Sequence, residues 1–173
     1  MKKRTSILIL GTCLVLVLGF VLSQTTLTIN QSPSLSYKAF LCFKNLTPQK
    51  GDFISIERHP TAYFDGLHYT KCLAGLPGEK IRISDKQVSI DGSLIGVLRS
   101  TTRDGKPLHP LKTTTIPKGY VFVSADNPSS FDSRYEEFGL VKESCIRGTC
   151  FGLLPSTVIR EGLPRKQRRE DEI

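Results

Sequence analysis

The residues best suited to chemistry in this chain are one lysine and a small group of serines. Lys71 stands in the run Tyr69-Thr70-Lys71-Cys72-Leu73-Ala74-Gly75-Leu76-Pro77-Gly78-Glu79. It is a single cation at the end of an apolar, strand-like stretch, and two glycines and a proline then force a tight turn. A lysine in apolar surroundings gives up its proton more readily, and the neutral amine can take a proton from a serine hydroxyl. Leu73, Ala74 and Leu76 supply such surroundings locally. Histidine is the more usual base for a serine. Here His59 and His109 each precede a proline and read as loop residues, and His68 stands in no triad-like setting. Upstream, Ile29-Asn30-Gln31-Ser32-Pro33-Ser34-Leu35-Ser36-Tyr37-Lys38-Ala39-Phe40 offers three serines.

The Lys71 run resembles the lysine box of type I signal peptidases, the membrane-bound Ser-Lys proteases. The Ser34-Leu35 pair fits that family's nucleophile, which follows the membrane anchor and precedes a large apolar residue. The segment looks most like the TraF-type conjugative-transfer branch, with Ser36 where that branch usually has proline and Ala39 where it usually has glycine. Further boxes fall in the family's order. These are Gly51-Asp52 with Phe53-Ile54-Ser55-Ile56, the hairpin Val88-Ser89-Ile90-Asp91-Gly92, and Ala125-Asp126-Asn127, similar to the family's Gly-Asp-Asn. Ser130-Phe131-Asp132-Ser133-Arg134 and Phe138-Gly139-Leu140-Val141 follow. The resemblance implies Ser34 as nucleophile and Lys71 as general base. It also implies Ser32 and the backbone N–H of Ser34 as oxyanion donors. Ser130 would orient the lysine ammonium by a hydrogen bond, and Asp132 with Arg134 would form a supporting ion pair. No cofactor is implied, because nucleophile and base are both side chains. Ser36, Ser129 and Ser133 receive no role.

With 173 residues the chain is long enough for one domain with a useful core. The formal net charge is +8, with Lys2, Lys3 and Arg4 at one end and the mixed segment 165–173 at the other. What remains between them is mildly basic and unclustered. It disfavours a nucleic-acid partner and suits a surface near anionic lipid headgroups. Ile7 to Leu22 is apolar behind the basic start. With its flanking residues it approaches the length of a membrane span, and the basic end would stay on the cytoplasmic side. The expected organisation is an anchor over 1–24, a peptidase domain over 25–164 and a charged tail over 165–173. The expected location is the bacterial inner membrane, with the domain on the periplasmic side. A cleavable secretory signal is the rival reading, and it also exports the domain.

Cys13 lies in the apolar segment. Cys42, Cys72, Cys145 and Cys150 form an even set for an oxidising compartment. Four cysteines allow three pairings, of which Cys145–Cys150 with Cys42–Cys72 is preferred here. Scattered histidines and the lack of a Cys-x-x-Cys pair disfavour a metal site.

Turn residues recur at short intervals, and no long stretch beyond the anchor has helical periodicity. That pattern predicts a mainly β, sandwich- or barrel-like domain. Strands are expected at Phe53–Glu57, Leu67–Leu73, Lys80–Ser84, Gln87–Ile90, Leu94–Leu98, Tyr120–Ser124 and Cys145–Leu153. A turn is expected at Asp91-Gly92 and a short helix near Pro155–Glu161. Arg99–Thr115 reads as a polar loop or small insertion.

The function expected from the resemblance is maturation of an exported precursor, a pilin subunit in conjugative transfer, by cleavage with or without cyclisation. Conjugation-apparatus proteins would be partners. A general signal peptidase serving many exported proteins is the first alternative. A degenerate assembly factor that only binds pilin is the second.

Overall fold

The computed structural model describes residues 2–64 and 68–156, with residues 2–10 as backbone only. A helix, α1 (Lys2–Ser23), opens the chain. Among the described residues no helix is long and apolar enough to cross a membrane.

After α1 the chain is mainly β, as expected. Its strands are β1 (Thr25–Ile29), β2 (Tyr37–Phe43), β3 (Phe53–Glu57), β4 (His68–Gly75), β5 (Ile81–Ser84), β6 (Gln87–Ile90), β7 (Ser93–Val97), β8 (Tyr120–Ser124), β9 (Val141–Lys142) and β10 (Ile146–Pro155). Seven form one antiparallel sheet in the order β1-β2-β10-β3-β4-β8-β9, and β5-β6-β7 form a second. The turns obey local chemistry. Asp91 and Gly92 take φ of 47° and 82° between paired Ile90 and Ser93, the two left-handed positions a two-residue hairpin needs. Pro77 and Gly78 occupy the centre of a turn closed by Glu79 N–H donating to Leu76 O at 3.2 Å, with Gly78 at φ 89°. The expected helix near Pro155–Glu161 meets strand at Pro155, and 157–161 lie outside the described residues.

Three apolar clusters make the core. One gathers Ile54, Ile56, Leu73, Val121, Val123, Phe138 and Val141. A second joins the small sheet to Phe122 and Ile116. The third holds Leu35, Phe40, Cys42, Phe53, Ala125 and Cys150. Ala125, one of the departures from the family pattern, is thus a packed core residue, and Ala39 is also buried.

The preferred disulfide pairing is corrected. Cys42 is bonded to Cys150, and Cys72 and Cys145 lie outside the bridge. Register explains this. Cys150 on β10 sits opposite Cys42 on β2, whereas Cys72 on β4 pairs with Phe53 on β3. The sheet order puts β4 three strands from β2, about 14 Å away, well beyond disulfide reach. The bridge spans a sequence separation of 108 residues and lies in the cluster beneath Leu35. Closing so long a loop is worth about 4–5 kcal/mol in the chain-entropy account. Thiol labelling in denaturant without reductant is expected to modify Cys72 and Cys145 and to spare Cys42 and Cys150. Protection of Cys72 or Cys145 would contradict the register.

Candidate active site

Ser34 lies on the turn between β1 and β2, and three sets of contacts fix it there. Leu35, immediately after it, is fully buried in the core. Ser36 donates its backbone N–H and its hydroxyl to one carboxylate oxygen of Asp126, at 2.8 and 2.5 Å. Asn127 donates its backbone N–H to Ser34 O at 3.0 Å and its amide to Pro33 O at 2.9 Å. The Ser34 hydroxyl lies 2.8 Å from that of Ser32, which in turn donates to Asn30 Oδ1 at 3.2 Å. Ser36, Asp126 and Asn127 carried no assigned role in the sequence reading. A signal was present: an Asp-Asn pair at a strand end, and a serine where the branch usually has proline. Proline has no N–H, so only a non-proline residue can make the Ser36 backbone contact.

Lys71 comes from the middle of β4, where Tyr69, Lys71 and Leu73 share one face of the strand. Its side chain is only 7% exposed. Its ammonium donates to Phe131 O at 2.8 Å and stands 5.7 Å from the centre of the Phe138 ring. Phe131 and Phe138 pack edge to face against each other, and Tyr69 packs against Phe138. Burial lowers the Lys71 pKa from 10.5 to about 8, Asp132 opposing the shift and Arg134 adding to it. The apolar neighbours expected from local sequence contribute unequally. Leu73 shares the cluster with Phe138, Ala74 packs in the other cluster, and Leu76 is exposed. The aromatic cover comes from about 60 residues downstream, out of reach of a local reading.

Ser32, Ser34, Lys71 and Ser130 all line one cavity of about 370 Å³, floored by Tyr69, Phe131 and Phe138. A second cavity, of about 510 Å³, also reaches Ser34 and Lys71. Asp132 and Arg134 form a buried pair, with N–O distances of 2.8 and 2.9 Å. The same guanidinium donates to the carbonyls of Val97, Pro128 and Ser130, tying together the loop that presents Phe131. A Cβ on Gly96 would stand 2.8 Å from this guanidinium, so the glycine leaves room for it. The hydrogen bond expected from Ser130 to the lysine is not formed. The Ser130 hydroxyl is buried without a partner, and the carbonyl of the next residue accepts from Lys71 instead. Ser133 accepts the Val123 N–H, and Ser129 accepts from Arg99.

The histidines are spoken for. His59 is buried against Phe138 O, and burial lowers its pKa, the hydrogen bond opposing. His68 and His109 are exposed beside Glu57 and Glu137. His68 lines the second cavity but alternates to the strand face opposite Lys71. Among the described residues no group of three or more His, Cys, Asp or Glu could hold a metal ion.

A family model described as "Signal peptidase, peptidase S26" matches residues 2–153. The chain belongs to this signal peptidase family. It is 29% identical over 174 residues to the conjugal transfer protein TraF of Agrobacterium fabrum, covering 86% of this chain and 94% of that protein. It is 33% identical over 109 residues to a signal peptidase I of Bacillus amyloliquefaciens, covering 58% of this chain and 54% of that one. Among solved structures, a signal peptidase I of Enterococcus faecalis is 30% identical, with a TM-score of 0.42, over 60% of this chain and 96% of that chain. Membership of this signal peptidase family supports a serine peptidase, and the family member has TraF-type relatives.

Lys71 is an ionisable group held in the protein against its preference for water. Its lowered pKa means that the unfolded chain binds one more proton between about pH 8 and 10.5. Over that window the group makes folding more favourable as pH rises. Lys71→Met should therefore raise stability at pH 7, by up to about 3 kcal/mol from the charge alone. The gain over the parent should shrink as pH rises from 8 to 10. Paired thermal melts across that range test this, and a pH-independent difference would contradict it.

Proposed function

We propose that this chain is a membrane-anchored endopeptidase in which Ser34 is the nucleophile and Lys71 the general base. It matures an exported precursor, a pilin subunit in conjugative transfer, from the periplasmic side of the bacterial inner membrane. The observation that carries this reading is one cavity lined by both Ser34 and a buried Lys71 whose pKa is lowered to about 8. The basic start Lys2–Arg4 before the apolar Ile7–Leu22 supports the anchor and its orientation. Similarity along nearly the whole length of a protein named for conjugal transfer supports the narrower substrate over a general signal peptidase role.

The chemistry follows from the residues. Neutral Lys71 takes the Ser34 hydroxyl proton as Ser34 Oγ attacks the scissile carbonyl carbon. The Ser34 backbone N–H donates to the developing oxyanion, and so does the Ser32 hydroxyl once its proton turns from Asn30. Asn30 holds the Ser32 hydroxyl close to Ser34. The Lys71 ammonium then returns its proton to the leaving amine, and the Phe131 carbonyl steadies it while it is charged. Ser130, Asp132 and Arg134 support the site, Asp132 and Arg134 by fixing the loop beneath the lysine. The acyl-enzyme is released by water, or by an amine if the new termini are joined.

Incubation with pilin precursors followed by intact-mass measurement tests the assignment. Ser34→Ala and Lys71→Arg should each lose about four or more orders of magnitude in rate, because arginine keeps its proton. His68→Ala should stay within a few-fold of the parent. Full processing by Ser34→Ala would overturn the nucleophile, and an active Lys71→Arg would overturn the base. A product lighter than the linear chain by one water adds cyclisation. If deleting the gene stops growth and many exported precursors accumulate, the general signal peptidase reading replaces this one.

A further inference from the structure

Residues 99–108 form a wall of the active-site cavity that the chemistry above leaves unused. The segment folds back on itself. Thr101 bridges Pro107, Thr102 N–H donates to Lys106 O at 2.8 Å, and Lys106 N–H donates to Thr102 Oγ1 at 3.0 Å. Gly105 supplies the positive φ of 78° that the tip requires. The base of the wall is tied to the domain. Arg99 donates from its guanidinium to Ser129 Oγ at 2.6 Å, and its N–H donates to the Tyr135 hydroxyl at 3.1 Å. The Tyr63 hydroxyl donates to Pro107 O, and the Lys106 ammonium lies over the rings of Tyr63 and Phe64 at 5.1 and 5.5 Å. These ties make the segment a fixed wall.

Its tip presents Thr102, Arg103 and Asp104 to the cavity that holds Ser34 and Lys71. Among the described residues neither Arg103 nor Asp104 joins any of the ion pairs. The same cavity is lined by Ser130, the one residue with a buried side-chain polar atom lacking a partner among those described. An unpaired guanidinium at the rim and an unsatisfied hydroxyl in the wall both fit a ligand that brings polar atoms of its own. The balance of charge selects its sign. Arg103 lines the cavity, and Arg99 and Lys106 flank it through their contacts with Ser129 and Phe64, against Asp104 alone on the wall, since Asp132 is matched by Arg134 and Lys71 works as a neutral amine. Such an excess attracts an anion, and a guanidinium is well shaped for a carboxylate.

We infer that Arg103 is a specificity-determining residue that receives an acidic side chain of the substrate polypeptide close to the scissile bond. This rests on the reading of the cavity as a peptidase site. Fluorescent peptides with a small residue before the scissile bond and Glu, Gln or Lys flanking it provide the test. Their binding is measured by anisotropy on the full-length Ser34→Ala protein in detergent micelles. The Glu peptide should bind about 10-fold tighter than the Gln peptide, consistent with one charge-assisted contact, and the difference should fall with added salt. Arg103→Gln should erase the difference, and Asp104→Asn should enlarge it. Equal affinity for Glu and Gln peptides, preference for Lys, a Glu preference that survives Arg103→Gln, or no binding of the Glu peptide would each overturn the inference. Cleavage by the parent enzyme is read separately. Cleavage without any Glu preference in binding sinks this inference and leaves the Ser34–Lys71 assignment standing. A Glu preference that depends on Arg103, without cleavage of any peptide, supports recognition of an acidic side chain by Arg103 but sinks the assignment, and with it the placement beside a scissile bond.

Discussion

An amine held out of water is the condition on which the rest of this molecule turns. Desolvation of an ammonium is unfavourable, and at Lys71 it outweighs the opposing field of Asp132. That balance needs an apolar enclosure assembled from distant parts of the chain. Strand β4 supplies Tyr69 and Leu73 on the lysine's own face, and the segment after β8 supplies Phe131 and Phe138. The one hydrogen bond to a neutral acceptor, Phe131 O, orients the nitrogen without restoring a counter-charge at contact distance. Asp132 is withheld from that role because its two oxygens are taken by Arg134. The buried ion pair therefore does two things. It braces the loop carrying Phe131, and it keeps a carboxylate near the lysine from capturing it.

The hydroxyl side obeys a different constraint. A hydroxyl on a turn, proposed here as the nucleophile, has to be rigid without being buried, and the rigidity comes from its neighbours. Leu35 anchors the turn in the core above the Cys42–Cys150 bridge, and the Asp126-Asn127 pair clasps it from the end of β8. Ser34 itself stays half-buried on the cavity wall. Strand β8 is thus a common support. The loop beyond it grips the serine turn first and covers the lysine a few residues later. Displacing that loop would disturb both halves of the site.

How much of this could be read from sequence depended on the range of the interaction involved. Asp91-Gly92 and Pro77-Gly78 announced their turns because the backbone geometry is local. Strands β3, β6 and β8 were legible at their observed bounds because each is a short β-rich run between turn formers. Strands β1 and β2 were not read. β1 is an edge strand that exposes Leu27 and Ile29, and β2 follows the serine turn without a clean alternation. The disulfide was mispaired because its partners meet through the register of strands separated by 108 residues, which spacing does not encode. At the site, Ser34 and Lys71 are proposed through the resemblance of their segments to a family, and both line one cavity. The aromatic cover of the lysine and the missing Ser130 hydrogen bond are long-range and had no local signature, whereas the Ser36–Asp126 clasp left as its trace only a serine in proline's place and an Asp-Asn pair at a strand end.

The account stands on the protonation state of one side chain, and that state can be observed directly. With lysine side chains isotopically labelled, the Lys71 resonance is assigned by its loss in Lys71→Met. Its Cε–Hε shifts are then followed by NMR from pH 6 to 11 in the Ser34→Ala protein. The account predicts a midpoint close to pH 8, well below the ordinary lysine value of 10.5. A Lys71 midpoint at or above 10 would contradict it, because the neutral amine that takes the serine's proton would then be about a hundredfold scarcer at neutral pH than a midpoint of 8 allows.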